Sequence, residues 1–117
     1  MENKKSQPQI DKKTALLKAE SYCAYQERSQ AEVRHKLLNL GLRFEELEEV
    51  ISELIANNFL NEARFALAYA QGKLRMKGWG KAKIKQGLKL KGVSEPILKK
   101  TLQALPYDEY EEKLGQV

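Results

Sequence analysis

The chain holds one cysteine, Cys23, so no disulfide can close within it, and a lone thiol fits a reducing compartment. Nothing nearby in sequence would lower the pKa of that thiol, and it falls on the apolar side of its helix, which argues for an inert buried thiol over a nucleophile. The one histidine, His35, lies off the apolar line of its helix and lacks the oriented partner that a general base needs. The glycines on either side of Trp79 do not follow a strand, so they make no phosphate-binding loop. Glu45, Glu46, Glu48, Glu49 and Glu53 do not alternate with glycine or asparagine as a calcium loop would, and read as a solvated helix face. No catalytic constellation can be assembled, and a non-enzymatic chain without cofactor or metal is expected. No apolar run is long enough to cross a bilayer, and Met1 to Lys13 lack the apolar core of a signal peptide, so the cytoplasm is the expected location.

Proline, glycine and β-branched residues are also few. What remains is rich in Ala, Leu, Glu and Lys, the composition of an all-α chain. A length of 117 residues allows one compact domain or a short array of small ones. Lys and Arg number 21 against 16 Asp and Glu, a net charge of +5, which suits a polyanion or an acidic protein surface as partner.

Residues 1–11 are polar and read as a disordered tail. A helix over 12–26 places Ala15, Leu16, Ala19, Tyr22 and Cys23 on one face. Ser29 to Glu32 form a capping box that opens a second helix, with Val33 and Leu37 inward and an end at Gly41. A third, from about Phe44 to Ala56, carries an apolar stripe of Leu47, Val50, Ile51, Leu54 and Ile55. Leu60 and Phe65 are spaced to staple the start of the next helix, which Asn61 caps and which runs to about Met76. Gly78-Trp79-Gly80 breaks it. A helix from Lys81 turns Ile84 and Leu88 inward and ends at a left-handed Gly92. Ser94 caps the last helix, and Pro106 ends it.

The halves repeat. An offset of 51 positions, the distance from Gly41 to Gly92, lays Val33 on Ile84, Leu37 on Leu88, Leu42 on Val93, Leu47 on Leu98, Ile51 on Leu102 and Leu54 on Leu105. The same offset carries Ala15, Leu16, Ala19 and Cys23 onto Ala66, Leu67, Ala70 and Leu74. The expected architecture is all-α: tandem three-helix units at 12–58 and 59–106, the start of an incomplete third at 107–117 with a capping box from Asp108 to Glu111, and stacking into an elongated, curved array.

Charge is gathered in the second unit. From Lys73 to Lys100 there are ten basic residues and one acid, Glu95, a net +9. Lys73, Arg75, Lys77, Lys81, Lys83, Lys85, Lys89 and Lys91 are candidate contacts, and Lys81, Lys85 and Lys89 fall at four-residue spacing beside the Ile84/Leu88 line. One reading is a solvated face that keeps the chain soluble. The other is a polyanion contact, in which lysine meets phosphate as a point charge and reads no bases. Trp79 either stacks on a base or a partner pocket, or plugs a gap between helices; both stay open.

Arg28-Ser29-x-x-Glu32-Val33-x-x-Lys36-Leu37-x-x-x-Gly41-Leu42 resembles the opening motif of the RecX family, bacterial regulators of the RecA recombinase. Phe59-Leu60-Asn61-Glu62-x-Arg64-Phe65-Ala66-x-x-Tyr69, followed by Gly80-x-x-x-Ile84-x-x-x-Leu88-x-x-Lys91-Gly92-Val93, is similar to its central motif. The resemblance spans about residues 14–105. It implies a protein of tandem three-helix units that binds the groove of a RecA filament on DNA, restrains its ATPase, strand exchange and filament growth, and so acts in DNA repair and recombination. Arg28 and Arg64, at motif positions, join the candidate contacts. The implied partners are the RecA filament and single- or double-stranded DNA through phosphates; apart from the resemblance, no membrane partner and a monomer are expected. Gln26 stands where the family often has arginine, and Asn61-Glu62 where it often has two acids. A free-standing nucleic-acid-binding helical module is the alternative.

Overall fold

The computed structural model describes residues 10–106, and every regular element among them is helical. The chain forms two units that divide between Asn61 and Glu62. The expected start of a third unit at 107–117 and the tail through residue 9 lie outside the described residues. Ile10 and Asp11, assigned to that tail, are instead part of the first unit: Ile10 packs against its core and Asp11 caps its first helix.

The first unit comprises α1 (Lys12–Tyr25), α2 (Gln30–Leu40) and α3 (Phe44–Ala56). The Asp11 carboxylate accepts the Thr14 N–H at 3.1 Å, and hydrogen bonding from the Thr14 side chain, with that backbone bond, holds its carboxyl below the usual range. The capping box at α2 is complete: Glu32 N–H donates to Ser29 Oγ at 3.1 Å, and Ser29 N–H donates to Glu32 Oε1 at 3.0 Å. At its other end Gly41, with φ 101°, donates to the Leu38 carbonyl while Leu42 donates to that of Leu37, the paired bonds of a Schellman cap. Asn58, with φ 65°, serves α3 in the same way, its N–H going to Ile55 and that of Phe59 to Leu54.

In each helix the buried positions recur at three- and four-residue spacing, so that one face turns inward. Ala15, Ala19 and Cys23 of α1 meet Val33 and Leu37 of α2 and Leu47, Val50, Ile51 and Leu54 of α3. Ile55 departs from the expected stripe. It is 45% exposed, because the inward arc of α3 is already filled by its four neighbours. Leu60 also departs. It is buried in the first core, with Phe59 packed against it, while Phe65 belongs to the second, so the expected staple does not bring them into one cluster.

The second unit comprises α4 (Glu62–Gly72), a π-helical turn (Lys73–Lys77), α5 (Lys81–Leu90) and α6 (Glu95–Ala104). Its core is Phe65, Ala66, Ala70, Leu74, Ile84, Leu88, Val93, Leu98, Leu102 and Leu105. Every superposed pair from the offset of 51 is buried in both units, except Leu16 and Leu67, which are half-buried in both. Even Val50 finds its counterpart buried in Thr101, whose hydroxyl donates to the Ile97 carbonyl at 2.7 Å and so enters the core satisfied. Gly92, with φ 83°, and Val93 close α5 with the same paired bonds, to Lys89 and Leu88.

The helix expected to run to about Met76 does so, its last five residues widening to a π-helical turn, and Gly78, with φ 66°, ends it. Ser94 stands at the N-cap position expected of it, in extended conformation. The Ser94 side chain makes no cap bond on α6. Instead the Ser94 N–H donates to Glu62 Oε2 at 2.7 Å, so a carboxylate at the start of α4 anchors the chain as it enters α6.

Candidate functional site

α5 buries only Ile84, Gly87 and Leu88. That leaves Lys81, Lys85 and Lys89 exposed, and helical spacing puts all three along one flank of the buried row. Lys83 lies on the opposite flank, toward Trp79. Its ammonium is 4.9 Å from the indole centroid, and Lys73 on the π-turn brings its own ammonium to the same distance. Both are cation–π contacts, which the ring quadrupole favours.

Trp79 is half-buried and packs against the second core. Its ring meets Tyr69 edge-on, with centroids 6.5 Å apart at 73°, and Tyr69 rests on Phe65 at 5.8 Å. Lys73 also reaches the Tyr69 ring, at 5.3 Å. The aromatic row therefore runs from the core to the basic surface and gives two lysines a fixed seat.

Gly87 makes the row possible. A Cβ at this position would stand 2.3 Å from the Tyr69 hydroxyl oxygen, inside any permitted contact. Neither Gly87 nor Tyr69 stood out as a site residue in the sequence. The available signal was a glycine inside a helix, which costs about 1 kcal/mol against alanine and so calls for a packing reason.

The other expected residues fall as follows. Arg75 and Lys77 are exposed on the π-turn; Arg64 and Lys91 are half-buried on α4 and at the end of α5. Arg28 belongs to the first unit, where its guanidinium lies 3.7 Å from the centroid of the Tyr22 ring and its Nε donates to the Tyr22 carbonyl at 2.9 Å. The structure thus gathers Lys73, Trp79 and Lys83 into one contact group, lines up Lys81, Lys85 and Lys89, and gives Arg28 a local structural task.

The first unit carries the opposite charge. Glu45, Glu46, Glu48, Glu49 and Glu53 are all exposed on α3. Lys12 pairs with Glu49 at 2.9 Å, and Arg34 bonds Glu48. The Arg34 bond holds the Glu48 carboxyl below its usual range, and the Glu49 bond raises the Lys12 ammonium. His35 is exposed and Cys23 buried. Among the described residues no group of three or more His, Cys, Asp or Glu is set to hold a metal ion, and no helix is long and apolar enough to cross a membrane.

Comparison with known proteins follows this division into units. Residues 61–102 match the family model described as RecX, second three-helix domain. The regulatory protein RecX of Lactococcus lactis subsp. cremoris (strain MG1363) is 35% identical over 89 residues, which cover 75% of this chain and 33% of the relative. That of Prosthecochloris aestuarii is 32% identical over 93 residues, 80% of this chain and 62% of the relative. The crystal structure of RecX from Lactobacillus salivarius superposes with a TM-score of 0.72 at 27% identity, over 78% of this chain and 59% of that one. The chain spans about a third of the length of the first curated relatives it matches.

Proposed function

The chain belongs to the RecX family, and from that premise we propose that it is a non-enzymatic regulator that binds the RecA filament on DNA and restrains its ATPase, strand exchange and growth. The observation that carries this reading is the exposed lysine flank of α5, which lies within the residues matched to the family's second three-helix domain. A row of like charges at one-turn spacing is repelled internally and attracted to any polyanion, so its potential favours a phosphate backbone or an acidic protein groove. Lysine suits backbone contact, which holds a partner without selecting sequence.

Regulation then follows from binding alone. A protein that contacts neighbouring filament subunits favours the arrangement in which its contacts are all made. It slows hydrolysis and strand exchange to the extent that these need another arrangement. Each contact after the first is intramolecular and adds through effective concentration.

Reversal of Lys81, Lys85 and Lys89 to Glu is the direct test. All three are exposed, so the fold is kept. The expected outcome is loss of inhibition of the DNA-dependent ATPase of RecA; unchanged inhibition would rule out this flank as the contact. The alternative, a free-standing nucleic-acid-binding helical module, uses the same lysines. A pull-down with RecA, with and without single-stranded DNA, separates the two: a free-standing module retains bare DNA and never RecA.

A further inference from the structure

The corner between α1 and α2 holds a second cationic and aromatic cluster that the lysine flank does not explain. Tyr22, Arg28 and Lys36 form its floor: the Arg28 guanidinium stacks 3.7 Å from the Tyr22 centroid, and the Lys36 ammonium stands 5.2 Å from the same ring. Tyr25 stands at its edge, 82% exposed, with the Arg28 guanidinium 5.8 Å from its ring. With Lys18, Ser21 and Leu40 these residues line a shallow hollow of about 470 Å³. That is within the roughly 300–1,000 Å³ of small-ligand sites. No carboxylate is among its described lining residues, although the same unit carries five exposed glutamates on α3.

We infer that this hollow binds one nucleotide unit, its base on the open face of Tyr25 and its phosphate between Lys18 and Lys36, with Ser21 as a hydroxyl donor. Three cations around a hollow with no acid set the sign of the ligand. A largely exposed aromatic ring beside them sets its shape, because a nucleotide joins an anionic phosphate to a planar base that stacks. Arg28 is already committed to Tyr22, so it adds charge and holds the floor. The offset of 51 carries Lys18, Tyr22 and Arg28 onto Tyr69, Lys73 and Trp79, so the floor of the corner recurs in the second unit, whereas Tyr25 and Lys36 fall on Met76 and Gly87, which leaves the ligand-facing residues to the first unit. The inference rests on the reading of the chain as a ligand of a nucleoprotein filament, and would give the first unit its own contact with that filament's nucleic acid.

The shared chemistry, a base with its phosphate, has two sources: an unpaired strand or a free nucleotide. Binding of a labelled oligothymidylate and of dTMP to the full chain is measured for Tyr25→Ala and for Lys18→Ala with Lys36→Ala, across a salt series. The expected result is about tenfold weaker strand binding for Tyr25→Ala. The lysine pair is expected to flatten the logarithmic salt slope by about 0.7, the value for one single-strand phosphate contact. Saturable dTMP binding that depends on the same residues assigns the site to a free nucleotide; strand binding without it assigns the site to the strand. Unchanged affinity and slope for both ligands overturns the inference. If Lys81→Glu, Lys85→Glu and Lys89→Glu together still abolish ATPase control in that case, the proposed function stands without it; if they too have no effect, both fall.

Discussion

The corner between the first and second helices is built twice in this molecule with the chemical roles exchanged. In the first unit the helix supplies the ring, Tyr22, and the link supplies the cation, Arg28. In the second, 51 positions on, the helix supplies the cation, Lys73, and the link supplies the ring, Trp79. A hydrogen bond to the carbonyl at the same repeat position recurs as well: Arg28 Nε donates to Tyr22 at 2.9 Å, and the Trp79 backbone N–H donates to Lys73 at 3.2 Å. The corner therefore needs a cation over a ring and a donor on one carbonyl, and is indifferent to which residue brings which. The exchange has a consequence for surface charge. It leaves the guanidinium of the first unit folded onto its own helix, while the second unit holds two ammonium groups against one indole beside a helix studded with further lysines.

The sole tryptophan and the sole cysteine fall in different units, so each unit has a native reporter. Trp79 fluorescence follows the second, and labelling of buried Cys23 by an activated pyridyl disulfide follows the first. Leu37→Ala and Leu88→Ala are equivalent truncations in the two cores, each fully buried, and each should cost about 2–5 kcal/mol. Independent units predict that Leu88→Ala moves the Trp79 urea midpoint alone and Leu37→Ala raises Cys23 labelling alone. Coincident shifts of both reporters would merge the units into one cooperative body.

Gly87→Ala sharpens the comparison at one position. Its repeat counterpart is Lys36, a half-buried side chain in a place where the second unit has room for none. The Tyr69 hydroxyl in the way should make Gly87→Ala cost about 1–3 kcal/mol in the Trp79 transition. Tyr69→Phe in the same chain should recover part of it, since the nearest clashing atom is that oxygen. Lys36→Ala should leave Cys23 labelling nearly unchanged.

The serine caps give a smaller contrast. Ser29→Ala breaks a complete capping box and should destabilise the first unit by about 1 kcal/mol. Ser94→Ala removes a side chain without a cap bond, so the Trp79 midpoint should stay within about 0.5 kcal/mol of the parent. Glu62→Ala, which frees the Ser94 N–H, should lower it more.

The smallest effect is the dependence on pH. Asp11 and Glu48 both have folded pKa values below their unfolded ones, so the stability they add is present above the ordinary carboxylate range and is lost as pH falls through the lowered folded values. Lys12 is raised, so its contribution is present below the ordinary lysine range and fades as pH rises through the folded value. All three lie in the first unit. Cys23 labelling in acid should therefore rise less steeply in Glu48→Gln than in the parent; identical pH profiles would show that the Arg34 pair adds nothing.

Much of the fold was legible because its signals are short-ranged. Ser29 and Glu32 announce a helix start three residues apart, and Gly41 and Gly92 supply the left-handed turn that ends one. The buried rows show as a three- and four-residue rhythm, and doubling that rhythm at an offset of 51 shows the repeat. The lysine flank was legible for the same reason. Ile55 was misread because periodicity marks a wide arc and does not say where packing stops. Ser94 stands at the N-cap as its type suggests, but a capping residue type does not reveal that its side chain makes no cap bond or that a carboxylate 32 positions earlier holds its N–H. The seat of Trp79 among Tyr69, Lys73 and Lys83 stayed open because it depends on how α5 docks against α4.

By itself the sequence determined the helices, their order, their inward faces and the concentration of positive charge, since each follows from residue types within one or two turns. Tertiary structure alone decided that Leu60 serves the first core, that Glu62 anchors the start of α6, and that Gly87 must lack a side chain. Those are meetings between residues far apart along the chain, and spacing carries no information about which surfaces close on one another.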